Sequence, residues 1–274
     1  MASARQKLAA HGLAPSKARG QNFLRRPEVA AQIVEKLGVR ATDAALEVGP
    51  GTGQLTRALA AVARRTLALE VDRGLVALLA AEGELPGYVE VRLADALEAN
   101  WPALARELCK PVVLVGNLPY SIAGRLLGDW LVPDSPFRRI GCMLQRELAD
   151  RVLAAPGSEA YGTLSVYARL WFTGERLLEL SREEFSPRPR VRSTFLALTP
   201  RPTPPRVADV ETLRRLVRAA FGQRRKQLKR ALALEFPQAG AALAATRIDP
   251  TRRGETLDEG EFAALADALA VAGS

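Results

Sequence analysis

A doubly wound α/β sheet followed by a smaller C-terminal helical domain is the fold predicted by this chain of 274 residues. From Ala44 onward, short apolar runs alternate with segments of helical period, the repeat of a β-α-β chain. The runs are continuously apolar, as strands of a parallel sheet covered on both faces must be. Thr199-Pro200-Arg201-Pro202-Thr203-Pro204-Pro205 can continue neither a helix nor a central strand, so it marks a stiff linker. The predicted domains are therefore 25–199 and 206–274, with a basic segment, 1–24, ahead of them.

Taken in order, the strands are Ala44-Ala45-Leu46-Glu47-Val48, Thr66 to Val71, Tyr88 to Leu93, Val112 to Val115 and Ile140 to Leu144. Helices fall between them at Leu55 to Ala63, Arg73 to Ala81 and Ser121 to Leu131. Arg176 to Leu180 and Val191 to Leu198 have no helix between them and read as a terminal hairpin or antiparallel edge of the same sheet. Beyond the linker, Leu213, Leu216, Val217, Ala220 and Phe221, then Leu228, Ala231 and Leu232, recur at helical spacing, and Glu261 to Ala270 repeats the pattern.

Composition narrows the partner. With 48% hydrophobic and 25% charged residues the chain is that of a folded soluble protein, and its net charge of +9 calls for something anionic. Nucleic acid comes first and an acidic membrane surface second. The one histidine, His11, sits in a polar N-terminal stretch, which excludes a Ser-His-Asp arrangement and a histidine-based zinc site. Cys109 and Cys142 have neither metal-ligand nor redox-motif spacing and read as core thiols of a cytosolic protein; no metal is expected. No apolar run approaches ~18 residues, and the first twenty contain no signal-peptide core, so neither export nor membrane insertion is expected.

Gly49-Pro50-Gly51-Thr52-Gly53 follows the first apolar strand and opens a helix, where glycines allow close approach of a ligand to backbone donors. The third glycine comes two residues after the second, not three, which argues against a dinucleotide fingerprint. Glu70 ends the second strand, where a carboxylate can accept both hydroxyls of a ribose, and Asp95 follows the third, where it can accept an adenine amino hydrogen. Each also has a plainer reading, as a helix cap or an exposed loop carboxylate. Asn117-Leu118-Pro119-Tyr120 follows the fourth strand. The Asn117 side-chain oxygen and the Leu118 carbonyl can each accept one hydrogen of a planar amino group, Pro119 stiffens the turn, and the Tyr120 ring can lie on a flat base. The same turn also reads as a rigid β-to-α connection with a half-buried tyrosine. All four features fall at the carboxyl edge of the sheet, where such folds bind ligands.

This set resembles the class I, Rossmann-like S-adenosylmethionine-dependent methyltransferases that act on amino nitrogens. Gly20-Gln21-Asn22-Phe23-Leu24, Met143-Leu144-Gln145-Arg146-Glu147, Tyr161-Gly162-Thr163-Leu164-Ser165, Phe185-Ser186-Pro187-Arg188-Pro189-Arg190-Val191 and Phe221-Gly222-Gln223-Arg224-Arg225-Lys226 narrow it. Together they resemble the small-subunit ribosomal RNA adenine N6,N6-dimethyltransferase family from about Lys17 to the C-terminal helices. Ser121 and Gly222 stand where that family often has Asn. The resemblance implies that Asn22 and Leu24 close over the cofactor, Gly49 and Gly51 lie against it, Glu70 holds its ribose, Asp95 reads its adenine, and Asn117 lies between cofactor and target. It implies S-adenosyl-L-methionine as methyl donor, with S-adenosyl-L-homocysteine as product. The implied substrate is a pair of adjacent adenosines near the 3′ end of 16S rRNA, in the 30S subunit or its precursor; the cysteine usage and the lack of an export signal make a cytoplasmic protein the expectation, with monomer as the default state. Arg188 and Arg190, in a Pro-rich loop, and Arg224, Arg225, Lys226 and Lys229 are the candidate RNA contacts, with Arg218, Arg225 and Lys229 able to share one helical face. The related large-subunit (23S) rRNA methyltransferases of macrolide resistance and a non-catalytic assembly factor are the competing readings.

Overall fold

The computed structural model describes residues 4–16 and 20–272. Residues 1–3 and 17–19 of the basic N-terminal segment, and the last two of the helical domain, lie outside the described residues. Among the described residues nine strands form two sheets: β1 (Phe23–Leu24), β2 (Ala44–Val48), β3 (Arg65–Glu70), β4 (Val89–Leu93), β5 (Val112–Asn117), β6 (Arg139–Gln145), β7 (Phe172–Leu180), β8 (Phe185–Ser186) and β9 (Ser193–Pro200). The main sheet has the order β4-β3-β2-β5-β6-β9-β7. β2 pairs in parallel with β3 and β5, and β6 continues the parallel set, whereas β9 runs antiparallel to β6. The predicted antiparallel edge is thus present, as β9 and β7.

The chain leaves β2 for β3 and β4 on one side, then returns to β5 on the other. The order reverses at the β2–β5 pair, where Val48 sits opposite Gly116. Their carboxyl ends form the crevice that this topology opens to ligands. Gly116 has to be glycine: a Cβ there would lie 2.8 Å from the Val48 carbonyl oxygen.

The helix Pro27–Leu37 illustrates how local signals set the elements. Pro27 opens it, Glu28 occupies its first turn, and Val29, Ala30, Ile33, Val34 and Leu37 make one buried stripe. Gly38, at φ 66°, ends it by donating its N–H to Glu35 and Val34 carbonyls. Asp72 caps the helix Arg73–Glu82 by accepting from the Gly74 N–H. Of the two thiols, Cys142 is buried, but Cys109 is exposed, at a positive φ of 55°, and is not in the core. Leaving a helix through that left-handed conformation turns its side chain outward, which an apolar neighbourhood in sequence does not reveal.

The chain divides into two compact units. The sheet unit comprises residues up to Trp130, Asp134–Ala149 and Gly174–Pro200; the helical unit comprises Leu131–Pro133, Asp150–Thr173 and everything from Arg201. The division at Pro200 coincides with the linker, while Asp150–Thr173 groups with the helical unit although the sequence boundaries place it in the sheet domain. Its reason is packing. Within the helical unit, the Tyr161 hydroxyl donates to the Leu257 carbonyl, its ring meets Phe221 edge-on at 5.8 Å, and Phe221 stacks on Phe262 at 6.0 Å.

Candidate active site

At the β2–β5 switch point lies a cavity of about 300 Å³. Seven residues singled out from sequence for the methyl donor, Asn22, Leu24, Gly49, Gly51, Glu70, Asp95 and Asn117, all line it. They come from β1 and the segment before it, from the ends of β3 and β5, from the turn after β2 and from the loop after β4.

The glycine turn shows what each glycine does. Gly49, Gly51 and Gly53 have φ of 71°, 58° and 78°, in the left-handed region that favours glycine. A Cβ on Gly51 would strike the Phe23 ring at 2.6 Å, so the segment before β2 lies directly on the turn. A Cβ on Gly53 would meet Leu79 Cδ2 at 2.7 Å and Arg57 Nη1 at 2.9 Å. The third glycine therefore makes room for side chains of this protein, in keeping with its failure to match the dinucleotide spacing.

Glu70 is buried. Its Oε2 accepts the Gly51 N–H at 3.2 Å and its Oε1 the Asp72 N–H at 2.9 Å. Burial raises its pKa despite these bonds. Asp95 does cap a turn, accepting the Leu97 N–H at 2.8 Å, and it lines the cavity as well, so its two readings coexist.

Asn117, the last residue of β5, donates its Nδ2 to the Asn22 carbonyl at 2.7 Å. With the nitrogen so engaged, Oδ1 is the side-chain atom left to accept. The turn then closes with the Pro119 carbonyl accepting from Ile122 and Ala123, which starts the helix Ala123–Trp130. Leu118 is buried and Tyr120 half-buried, and neither lines the cavity, whereas Pro119, Ser121 and Ile122 do. The Tyr120 hydroxyl is 2.9 Å from Ser193 Oγ, and burial raises its pKa.

Glu47 was not anticipated. It is the penultimate residue of β2, is 1% exposed, lines the cavity, and its Oε2 has no hydrogen-bond partner. The nearby Thr56 Oγ1 is also without a partner of good geometry. Burial pushes the Glu47 pKa up to about 8; the Glu70 charge adds to the rise, and Thr56 and Arg57 counter only part of it. The signal was present in the sequence, since a carboxylate inside an otherwise apolar central strand is rarely structural.

The predicted RNA contacts divide. Arg225, Lys226 and Lys229 are exposed. Arg224 is instead bound within its own unit, its Nε to Glu255 at 2.5 Å and its Nη2 to the Glu159 and Ser158 carbonyls at 2.7 and 3.3 Å. Arg188 is exposed but pairs with Glu183 at 2.5 Å, and Arg190 is exposed. Arg218, Arg225 and Lys229 do not share a helical face, because the helix Val210–Gly222 stops at Gln223, which leaves helical geometry, and the next helix begins only at Leu228. Among the described residues no group of three or more His, Cys, Asp or Glu could hold a metal, and no helix is long and apolar enough to cross a membrane.

A doubly wound sheet with a glycine turn, a buried acid ending the neighbouring strand and an Asn-x-Pro-Tyr turn at the switch point defines a Rossmann-like, S-adenosylmethionine-dependent methyltransferase. The family model for ribosomal RNA adenine dimethylases matches residues 15–270, and the chain belongs to that family: it is an rRNA adenine dimethyltransferase. It is 42% identical to the ribosomal RNA small subunit methyltransferase A of Jannaschia sp., over 96% of this chain and 91% of that protein. The protein of the same name from Geobacillus thermodenitrificans is 38% identical, over 96% and 93%. Among solved structures, a dimethyladenosine transferase from Plasmodium falciparum shares the fold, with a TM-score of 0.76 at 22% identity over 89% of this chain and 95% of that one. The 23S rRNA methyltransferase ErmE has a TM-score of 0.65 at 27% identity, over 91% and 100%.

Proposed function

We propose that the chain transfers methyl groups from S-adenosyl-L-methionine to N6 of two adjacent adenosines near the 3′ end of 16S rRNA, in the 30S subunit or its precursor. The products are N6,N6-dimethyladenosine and S-adenosyl-L-homocysteine, and the enzyme works as a cytoplasmic monomer in small-subunit biogenesis. The observation that carries the chemistry is the Asn117 amide, on the wall of the donor cavity and fixed by Asn22 so that its oxygen is the free atom. The relatives at 42% and 38% identity, both named as small-subunit methyltransferases, favour the small subunit as substrate.

The residues present fit the methyl donor. Glu70 holds the ribose hydroxyls, Asp95 the adenine amino group, and Gly49, Gly51, Asn22 and Leu24 enclose the remainder. Glu47, with an unpartnered oxygen, adds an acceptor for a cationic group. When bound, S-adenosylmethionine supplies an electrophilic methyl carbon on a sulfonium, so the protein needs no strong acid.

The protein's own task is the nucleophile. The N6 lone pair of adenine is delocalised into the ring, and Asn117 Oδ1 and the Leu118 carbonyl accept its two hydrogens and favour a pyramidal nitrogen. Tyr120 stacks on the flipped base, its hydroxyl held by Ser193. The proton leaves to water or through Asn117, since the only histidine is His11. In the second round the nitrogen carries one hydrogen, so one acceptor suffices.

Incubation with radiolabelled S-adenosylmethionine and unmethylated small or large subunits, followed by mapping of the label, tests this. Label on small-subunit adenines is expected. Label confined to large-subunit RNA would transfer the assignment to the 23S enzymes, and no label with donor bound would indicate an assembly factor.

A further inference from the structure

The cofactor turn is tied to the N-terminal arm by a compact ion cluster that the assigned chemistry does not use. Arg57, one turn into the helix Gln54–Ala60, donates Nη2 to the Thr52 carbonyl at 2.6 Å, and Thr52 lines the donor cavity. Its Nη1 faces Glu82 at 3.5 Å and Glu84 at 3.2 Å. Lys7, on the arm helix Ala4–Ala10, completes the cluster, 2.7 Å from Glu82 and 3.5 Å from Glu84. Lys7 and Glu82 are only 11% and 12% exposed at their side chains, so this is not a solvent-screened surface pair.

Packing around the cluster points the same way. Leu8 of the arm is 2% exposed and joins Phe23, Leu75, Leu78 and Leu79 in one apolar cluster, with Leu13 packed against it. Leu79 and the Arg57 guanidinium are the two groups that crowd Gly53, while Phe23 lies on Gly51. The Gln21 amide reaches Asp72, the cap of the helix that carries Glu82. Arm, glycine turn and helix Arg73–Glu82 therefore share both an apolar and an ionic contact, and Arg57 adds its charge to the field at Glu47.

We infer that Arg57 is a positioning residue that holds the glycine turn through the Thr52 carbonyl, and that Lys7 couples docking of the N-terminal arm to methyl-donor binding through Glu82. This rests on the cavity being the donor site. Coupling of this kind is reciprocal: whatever docked arm favours the ligand, bound ligand favours the docked arm.

Calorimetry with S-adenosylhomocysteine on the full chain and on Lys7→Met, Arg57→Lys and the double variant tests it, together with hydrogen exchange of residues 4–13 with and without that ligand. Arg57→Lys keeps the positive charge but loses the fork that reaches Thr52. Each single variant should weaken binding by about 3- to 10-fold, and the double variant by less than the product, because the two act through one network. Ligand should slow exchange in the arm of the parent protein and lose that effect in Lys7→Met. For both single variants the donor KM should rise with kcat within about two-fold, a split that general loss of folding does not produce. Additive losses, unchanged affinity in Lys7→Met, or arm exchange indifferent to ligand would overturn the inference while leaving the donor site intact. Failure of the parent protein itself to bind S-adenosylhomocysteine would overturn the site reading, and this inference with it.

Discussion

Two of the carboxylates that line the donor cavity are buried, Glu47 at 1% exposed and Glu70 at 5%, and burial raises the pKa of each, while Asp95 at the same cavity is exposed. In the segment 223–229 of the helical unit the side chains of Arg225, Lys226 and Lys229 are exposed, whereas the Arg224 side chain is bound within its own unit. The same kind of residue is therefore set two different tasks. A buried carboxylate without a full set of partners is held at a cost that a ligand can relieve, so it discriminates strongly among small molecules. An exposed cation costs nothing to hold, gives little specificity, and acts through many weak, salt-screened contacts with a polyanion.

The largest expected effect lies where the two tasks meet. Asn117→Ala should reduce methyl transfer by at least ~10²-fold, the usual loss when a group aimed at the reacting atoms is removed. S-adenosylhomocysteine affinity should stay within a few-fold. Glu70→Ala is the mirror case, with affinity for the donor falling by about 10- to 100-fold, as expected for loss of charged hydrogen bonds to a ligand. Calorimetry beside single-turnover assays separates the two; near-normal turnover by Asn117→Ala would remove the assignment.

Glu47 sharpens the contrast through pH. Its folded pKa of about 8 lies above the ordinary value of 4.5, so between these values the folded chain keeps a proton that the unfolded chain has released. The contribution of this group to stability is full below pH 4.5 and is lost as pH rises through 8. Donor binding places a cation near it and should expel that proton. At pH 7, calorimetry in buffers of different ionisation enthalpy should report release of up to about one proton on binding, abolished in Glu47→Gln. Equal apparent enthalpies in all buffers would leave Glu47 a spectator.

The smallest effects belong to the exposed side. Lys226→Ala and Lys229→Ala should each lower the slope of log affinity for RNA against log salt by about one, uniformly across sequences. Arg224→Ala should leave the slope alone and lower Tm by about 2 to 4 °C, because it breaks contacts inside its own unit. A slope change in Arg224→Ala with unchanged Tm would invert the distinction.

These residues also mark where the sequence was legible. The sheet and five of the cavity residues, Gly49, Gly51, Glu70, Asp95 and Asn117, could be read because strand ends and turn chemistry are local, and a fixed topology brings the carboxyl ends of β2, β3, β4 and β5 to one crevice; Asn22 and Leu24, ahead of that topology, were legible only through the family resemblance. Glu47 escaped notice inside an apolar run. Arg224 looked like one cation in a charge run because its partner Glu255 lies 31 residues on, and no local pattern encodes such a pair. Nothing in composition punctuates Ala149 and Asp150, so the division between the two units there is not legible in the sequence.

The bond from Asn117 Nδ2 to the Asn22 carbonyl bears on which mutational paths are open to this protein. Asparagine and aspartate are nearly isosteric, are separated by one nucleotide in their codons, and both offer an oxygen to an adenine amino group. At position 117, however, one carboxylate oxygen would come to rest 2.7 Å from a carbonyl oxygen with no hydrogen between them. The shortest step in the code is closed by a backbone atom 95 residues upstream, and an aspartate could enter the turn only after the segment around Asn22 had been rebuilt.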